Sequence, residues 1–85
     1  MKLLFFYLKN CPHCIRAGQY MNELKTEHPE FNNIDIEYIE EREQSSLADT
    51  YDYFYVPCFF VGDNKLAEGV LSKEDVKKVF NEVIK

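Results

Sequence analysis

The chain has 85 residues, which is enough for one small domain and too few for two. Hydrophobic residues make up 46% of it and only 3 glycines and 3 prolines occur, which excludes a disordered or collagen-like chain. Ten basic residues against 15 acidic ones give a net charge of −5. This charge disfavours a nucleic-acid backbone or an anionic membrane as a partner. We therefore expect one domain over residues 1–85, with no nucleic-acid or membrane partner.

The N-terminal apolar run is short, because it covers only Leu3–Leu8. A signal peptide needs a longer apolar region and a cleavage site, and a transmembrane helix needs roughly 20 residues. The sequence as given therefore predicts a cytoplasmic protein, in which thiols are kept reduced and cysteines are more often catalytic or metal-binding than structural. The chain has 3 cysteines, and this odd count argues against a framework made only of disulfides.

Apolar periodicity predicts the first three elements in chain order. Residues 2–8 form a continuous apolar run that is typical of a central strand covered on both faces. Pro12 suits the first turn of a helix, which is predicted to end near His28-Pro29. Residues 34–39 alternate like a strand. The apolar face of the predicted helix carries Cys14, Ala17, Gly18, Met21 and Leu24, and one face of the predicted strand carries Ile34, Ile36 and Tyr38.

The second half of the chain predicts a short helix, a hairpin and a final helix. Leu47, Ala48 and Tyr51 indicate the short helix, residues 56–61 a buried strand, and residues 65–69 the return strand after a Gly-Asp-Asn turn. The segment Ser72–Asp75 predicts a capping box before the C-terminal helix. The order β-α-β-α-β-β-α predicts an α/β fold with a mixed four-stranded sheet, because a helix joins the first two strands and a hairpin joins the last two. Helices are expected on both faces.

The tetrapeptide Cys11-Pro12-His13-Cys14 follows an apolar strand and begins a helix. Unpartnered N–H groups and the helix dipole favour a thiolate at such a position, so Cys11 is the predicted nucleophile. Cys14 lies within disulfide reach of Cys11 and on the apolar helix face, so it is the predicted resolving thiol. An exposed thiolate with a sheltered neighbour is what dithiol exchange requires. The expected redox group is therefore a Cys11–Cys14 disulfide, with no tightly bound cofactor.

Neighbouring positive charges support this assignment. A protonated His13 would favour the thiolate further, and Lys9 and Arg16 add positive charge. A zinc site is the main alternative, but it usually needs four ligands, and only Cys58 and His28 are available as extras. His28 would lie roughly 20 Å away at the far end of the helix, so no metal is predicted. A purely structural disulfide is the other alternative, although so short a loop restrains little chain.

The C-P-x-C motif at a helix start, followed by Val56-Pro57 before a buried strand and hairpin, resembles the thioredoxin superfamily. It is most similar to a glutaredoxin or a glutaredoxin-like thioredoxin, and the resemblance covers nearly the whole chain. It implies the thioredoxin fold and a thiol–disulfide oxidoreductase that reduces protein disulfides or glutathione mixed disulfides. It also implies that Pro57 follows a cis peptide bond and faces the cysteines. The substrate site that we predict comprises Lys9, Val56, Pro57, Glu68 and Gly69.

The chain departs from these families at several positions. Asn10 replaces the Trp of thioredoxins, Tyr55 replaces the Thr of glutaredoxins, and Glu68 lies where glutaredoxins have Gly. Because Glu68 would repel the carboxylates of glutathione, we expect weak glutathione binding and a preference for protein disulfides. The expected partners are therefore disulfide-containing proteins and an electron donor, which is either glutathione or a reductase. The protein itself is expected to be a monomer.

Several alternatives stay open at the level of the sequence. Cys58 is either a small buried core residue or a third redox thiol. The aromatic cluster Tyr51, Tyr53, Phe54 and Tyr55 is either core or an apolar rim for a docking protein. A redox-inert adaptor and a metal or iron–sulfur carrier on the same fold are the alternative functions. Carriers of this fold usually have one active-site cysteine, which disfavours the carrier here.

Overall fold

The computed structural model describes residues 2–85, so Met1, the first residue of the predicted domain, lies outside the described residues. The elements follow the predicted order, and their bounds are β1 (Lys2–Tyr7), α1 (Pro12–Glu27), β2 (Asp35–Glu40), α2 (Ser45–Ala48), β3 (Cys58–Val61), β4 (Asn64–Glu68) and α3 (Lys73–Ile84). The sequence did not predict a 3₁₀ helix, which extends over Pro29–Asn33 between α1 and β2. In this helix Phe31 is buried, with its ring centroid 5.2 Å from that of Phe80.

The strands form one mixed sheet in the order β2-β1-β3-β4. β1 is parallel to β2 and antiparallel to β3, and β3 is antiparallel to β4, as predicted. Tyr7 pairs with Glu40, Phe6 with Cys58, and Cys58 with Glu68. One end of the sheet, called the sheet edge below, is therefore formed where β1, β2 and β4 end and β3 begins.

The alternation of β1 builds two hydrophobic layers, because successive side chains of a strand point to opposite faces. Leu3 and Phe5 pack on one face together with Phe59, under α1 and α3. Leu4 and Phe6 pack on the other face under α2. Helices therefore cover both faces, which confirms the predicted architecture. The second layer consists of Leu4, Phe6, Ile39, Ala48, Cys58 and Phe60.

The exposure of β2 side chains differs from the expected alternation. Tyr38 is 45% exposed, whereas Ile39 on the opposite face is fully buried in the α2 layer. The Tyr38 ring still contacts Phe5 edge-on, with a centroid distance of 5.7 Å. Because β2 is an edge strand, no further strand covers the outer side of Tyr38.

The capping box at the start of α3 is confirmed. The backbone N–H of Asp75 donates to Ser72 Oγ at 3.1 Å, and the backbone N–H of Ser72 donates to Asp75 Oδ2 at 3.0 Å. Both bonds satisfy N–H groups that a helix start leaves without partners. Within residues 2–85, none of the helices is both long enough and apolar enough to span a lipid bilayer.

Candidate active site

Cys11 lies at the edge of the sheet where the strands converge. It occupies the N-cap of α1 in an extended conformation (φ −88°, ψ 114°), and Pro12 follows as the first helical residue. The backbone N–H of Cys14 donates to Cys11 Sγ at 3.3 Å. The Cys11 side chain is partly exposed, whereas Cys14 is only 3% exposed, and both are free thiols. The structure therefore places an accessible thiol and a sheltered one three residues apart at a helix start, joined by a hydrogen bond from the Cys14 backbone to Cys11 Sγ.

The sheltered thiol is held in its protonated form. Burial first, and then a hydrogen bond with the Cys11 side chain, raise the pKa of Cys14 to about 12, although a hydrogen bond with the backbone of Leu8 acts in the opposite direction. The negative charge of Glu41 also disfavours a Cys14 thiolate. At neutral pH the Cys14 thiol is therefore protonated.

His13 and Pro12 are exposed and line a groove between the start of α1 and the segment that precedes α3. Arg16 and Asp75 line the same groove. Cys11, the predicted nucleophile, does not line this groove but a separate cleft, which neither Pro12 nor His13 lines.

A cleft of about 360 Å³ opens beside Cys11, between the loop after β1 and the loop after β2. Lys9 lines this cleft, but its ammonium group is ion-paired with Glu43, which raises the pKa of Lys9. The Lys9 ammonium group, which was predicted to bind substrate, is therefore already paired with a carboxylate of the protein. The remaining residues that line the cleft are Leu8, Asn10, Arg42 and Glu40.

Glu40 is a residue of the site that the sequence analysis missed. Its side chain lies at the end of β2, and the residue is 5% exposed. Oε2 accepts the backbone N–H of Lys9 at 3.1 Å, and Oε1 accepts those of Arg42 at 2.6 Å and Glu43 at 3.2 Å. Burial opposes ionisation, but the three hydrogen bonds outweigh it and lower the pKa of Glu40. The carboxylate thus ties the loop that leads to Cys11 to the end of β2. The sequence signal that could have indicated Glu40 is an acidic residue directly after Ile39, at the end of the predicted strand.

The Val56–Pro57 peptide bond is cis, which is the isomer that the resemblance implied. Pro57 is buried, and its carbonyl accepts the backbone N–H of Gly69 at 2.9 Å. Gly69 has a φ of +87°, a conformation that side chains disfavour, so a glycine is suited to this position. Because Phe6 pairs with Cys58, Pro57 lies at the same sheet edge as the loop that carries Cys11.

Glu68 is engaged differently from the sequence-based expectation. Its Oε2 accepts the backbone N–H groups of Phe54 at 2.9 Å and Tyr55 at 3.1 Å, while Oε1 pairs with the Lys65 ammonium group. Lys65 first, and then these N–H groups, lower the pKa of Glu68 to about 2. The carboxylate therefore has partners within the protein, and weak glutathione binding stays a prediction.

Cys58 is not brought together with the other two cysteines. It is fully buried in the layer under α2, beside Phe6 and Phe60. Burial raises the pKa of Cys58 to about 12, with a smaller contribution from the charge of Glu68. These surroundings favour the core interpretation over a third redox thiol. Among residues 2–85, no group of three or more His, Cys, Asp or Glu side chains is arranged to hold a metal ion.

The aromatic cluster before Pro57 divides into two parts. Tyr51 and Tyr53 pack on Phe6, with centroid distances of 4.9 and 5.1 Å. The Tyr53 hydroxyl donates to Glu41 Oε1 at 2.7 Å. Phe54 and Tyr55 are 80% and 68% exposed. The core interpretation therefore holds for the first two residues and the exposed-rim interpretation for the last two.

Solved structures of three thioredoxins are similar to this chain over nearly its whole length. The germline-specific thioredoxin Deadhead of Drosophila melanogaster superposes with a TM-score of 0.69 at 15% identity, covering 96% of this chain and 79% of that one. Thioredoxin O2 of Arabidopsis thaliana, in the oxidised state, gives 0.68 at 22% identity, covering 99% and 75%. Thioredoxin 1 of Thermosipho africanus gives 0.61 at 17% identity, covering 100% of both chains. The chain has the thioredoxin fold.

The sequence comparisons found no match, in contrast to the structural comparison. No protein-family model matches the chain, and no curated protein matches it significantly. The thioredoxin fold confirms the predicted fold class, while the glutaredoxin-like subtype stays a prediction. At this level of identity the similarity concerns the backbone, so the function rests on the chemistry of the site itself.

Proposed function

We propose that the chain is a thiol–disulfide oxidoreductase that reduces protein disulfides with the Cys11–Cys14 dithiol. The observation that carries the proposal is the unequal pair at the start of α1. Cys11 is accessible and receives the N–H of Cys14, while Cys14 is buried with a raised pKa. An accessible nucleophile beside a sheltered, protonated thiol is the arrangement that two-step disulfide exchange needs.

The reaction balances within the two cysteines and the substrate. The Cys11 thiolate attacks one sulfur of the substrate disulfide, which forms a mixed disulfide and releases the other substrate sulfur as a thiolate. Cys14 then gives up its proton and attacks Cys11 Sγ, so that the second substrate sulfur leaves as a thiol. The substrate gains two electrons, one proton from Cys14 and one from solvent, which earlier took the proton of Cys11, and the dithiol becomes the Cys11–Cys14 disulfide. An external thiol, either glutathione or the dithiol of a reductase, returns the two electrons.

The other predicted residues have supporting roles in this proposal. Pro12 begins α1 and so sets the helix start that favours a Cys11 thiolate, and a protonated His13 would favour it further. Pro57, whose carbonyl is hydrogen-bonded to Gly69, shapes the sheet edge, and Val56 before it offers its backbone to a substrate peptide. No resident cofactor is needed, because the dithiol itself stores the electrons, and the proposed setting is a monomer in the cytoplasm.

The direct test measures turnover of a protein disulfide and of a small aromatic disulfide dye by the wild type and three variants. Cys11→Ser should lose turnover of both substrates. Cys14→Ser should accumulate a mixed disulfide with the substrate, which mass spectrometry detects, because the resolving thiol is missing. Cys58→Ala is the matched control and should retain turnover, since Cys58 is fully buried away from the pair.

The outcomes separate the alternatives. Full activity of Cys11→Ser would contradict the assigned nucleophile. A wild type that binds proteins but turns over neither substrate would favour the redox-inert adaptor. Regeneration rates measured separately with glutathione and with a thioredoxin reductase identify the electron donor and so decide between the glutaredoxin-like and thioredoxin-like subtypes.

A further inference from the structure

Glu68 reaches from the end of β4 to a segment that has no regular secondary structure. This segment, residues 52–56, lies directly before the cis bond to Pro57. The backbone N–H groups of Phe54 and Tyr55 both donate to a single oxygen of Glu68, at 2.9 and 3.1 Å. One carboxylate oxygen thus fixes two consecutive peptide groups. Hydrogen bonds to a charged acceptor are stronger than those between neutral groups.

Lys65 strengthens the same contact from a second direction. Its ammonium group pairs with the other oxygen of Glu68 and lies 5.9 Å from the centroid of the Phe54 ring. The side chains of Lys65 and Glu68 are 33% and 21% exposed, so the pair is partly withdrawn from water. The backbone of Phe54 is therefore held by Glu68, and its ring lies within the range of a cation–π contact with Lys65.

The segment held in this way carries two large exposed rings. Phe54 is 80% exposed and Tyr55 is 68% exposed, although burial of each ring would be favourable. Nothing within the sheet covers them, and they directly precede Val56 and Pro57. A polypeptide that presents a disulfide to Cys11 would extend along this edge, whereas a small disulfide would contact only the sulfur atoms.

We propose that Glu68 is a specificity-determining positioning residue that holds the Phe54–Tyr55 rim in place for the polypeptide flanking a substrate disulfide. The inference rests on the proposed function, which it deepens by assigning a substrate class to the rim. A rim that is ordered before binding loses less conformational entropy when the partner docks. Glu68 therefore acts through the segment and not through a contact with the reacting sulfur atoms.

The experiment compares Glu68→Ala, Glu68→Gln and the control Glu82→Ala on a protein disulfide and on an aromatic disulfide dye. Glu82 forms a similar ion pair with Lys85, three residues away on the surface, and accepts no hydrogen bond from residues 54 and 55. Glu68→Ala should lower kcat/KM for the protein disulfide about tenfold, mainly through KM, because the rim must be ordered during binding. The loss for the dye should be at most about twofold by the same reasoning.

Partial recovery in Glu68→Gln is expected, because the amide oxygen still accepts from the backbone, and Glu82→Ala should behave as wild type. Amide hydrogen exchange at Phe54 and Tyr55 provides a readout that does not depend on activity, and it should accelerate in Glu68→Ala. If Glu68→Ala does not fold, Glu68→Gln and Lys65→Met test the same contact and should show smaller shifts in the same direction.

An unchanged KM for the protein disulfide, or equal losses on both substrates, would overturn the specificity role. Unchanged amide exchange at residues 54 and 55 would overturn the positioning role. A wild type that is inactive on both disulfides would instead refute the proposed function and the substrate role with it. Amide exchange would then still decide whether Glu68 holds the segment.

Discussion

Limited alkylation of the reduced protein tests the unequal reactivity of Cys11 and Cys14. Only a thiolate reacts with iodoacetamide at an appreciable rate. With a pKa of about 12, Cys14 has a thiolate fraction of about 10⁻⁵ at pH 7. An ordinary exposed cysteine, with a pKa of about 8.5, has a fraction of about 3% at this pH. Cys14 should therefore react about 3,000-fold more slowly than an ordinary cysteine, and its 3% exposure slows it further.

The assay uses less than one equivalent of iodoacetamide at pH 7, followed by digestion and mass spectrometry of the cysteine peptides. Cys11 should carry nearly all of the label. Cys58 should be as unreactive as Cys14, because its pKa is also about 12 and it is fully buried. In denaturant all three cysteines should react at similar rates, which serves as the control for reagent access.

Comparable labelling of Cys14 and Cys11 in the folded protein would refute this reasoning. It would mean that the Cys14 sulfur is accessible and that its thiolate is formed at neutral pH. Preferential labelling of Cys14 would reverse the assignment of nucleophile and resolving thiol.

Three further predictions concern stability and pH. Cys58→Ser should lower the free energy of unfolding by about 1–3 kcal/mol in chemical denaturation, because it places a hydroxyl in an apolar layer, and should leave disulfide turnover intact. Ser72→Ala should cost about 1 kcal/mol in the same measurement, since it removes the N-cap of α3, and an unchanged midpoint would contradict the capping box. The pKa of Glu40 is lower in the folded state, so its stabilisation is present above the unfolded value of about 4.3 and is lost as the pH falls through the folded one. Glu40→Gln should therefore flatten the pH dependence of the melting temperature below about pH 4, and an identical pH profile would argue against the role of the carboxylate.

The parts of the fold that the sequence predicted depend on short stretches of chain. The helix start at Cys11-Pro12 and the capping box at Ser72–Asp75 each use signals within four residues, and both lie at the predicted places. The strand order followed from the connections, because a helical crossover requires parallel neighbours and a tight turn requires antiparallel ones. The fold class was therefore predictable without knowledge of any long-range contact.

The features that escaped prediction depend on residues far apart in the sequence. The contact between Glu40 and the backbone of Lys9 spans 31 positions, and the contact between Glu68 and Phe54 spans 14. The sequence analysis considered Glu68 only for its charge toward glutathione, because nothing local indicates that backbone N–H groups will face it. The exposure of Tyr38 likewise depends on β2 being an edge strand, which only the assembled sheet decides.

The direction of one side chain in β3 bears on the proposed dithiol chemistry of Cys11 and Cys14. Cys58 points into the layer under α2, while the next residue, Phe59, points into the layer under α1. Successive strand residues alternate, so a shift of β3 by one residue against β1 would turn the Cys58 sulfur toward the face that α1 covers. A third thiol on that face would compete for the mixed disulfide and produce a misplaced cross-link. The alternation of side chains in β3 thus keeps Cys58 on one face of the sheet, away from the face that α1 covers.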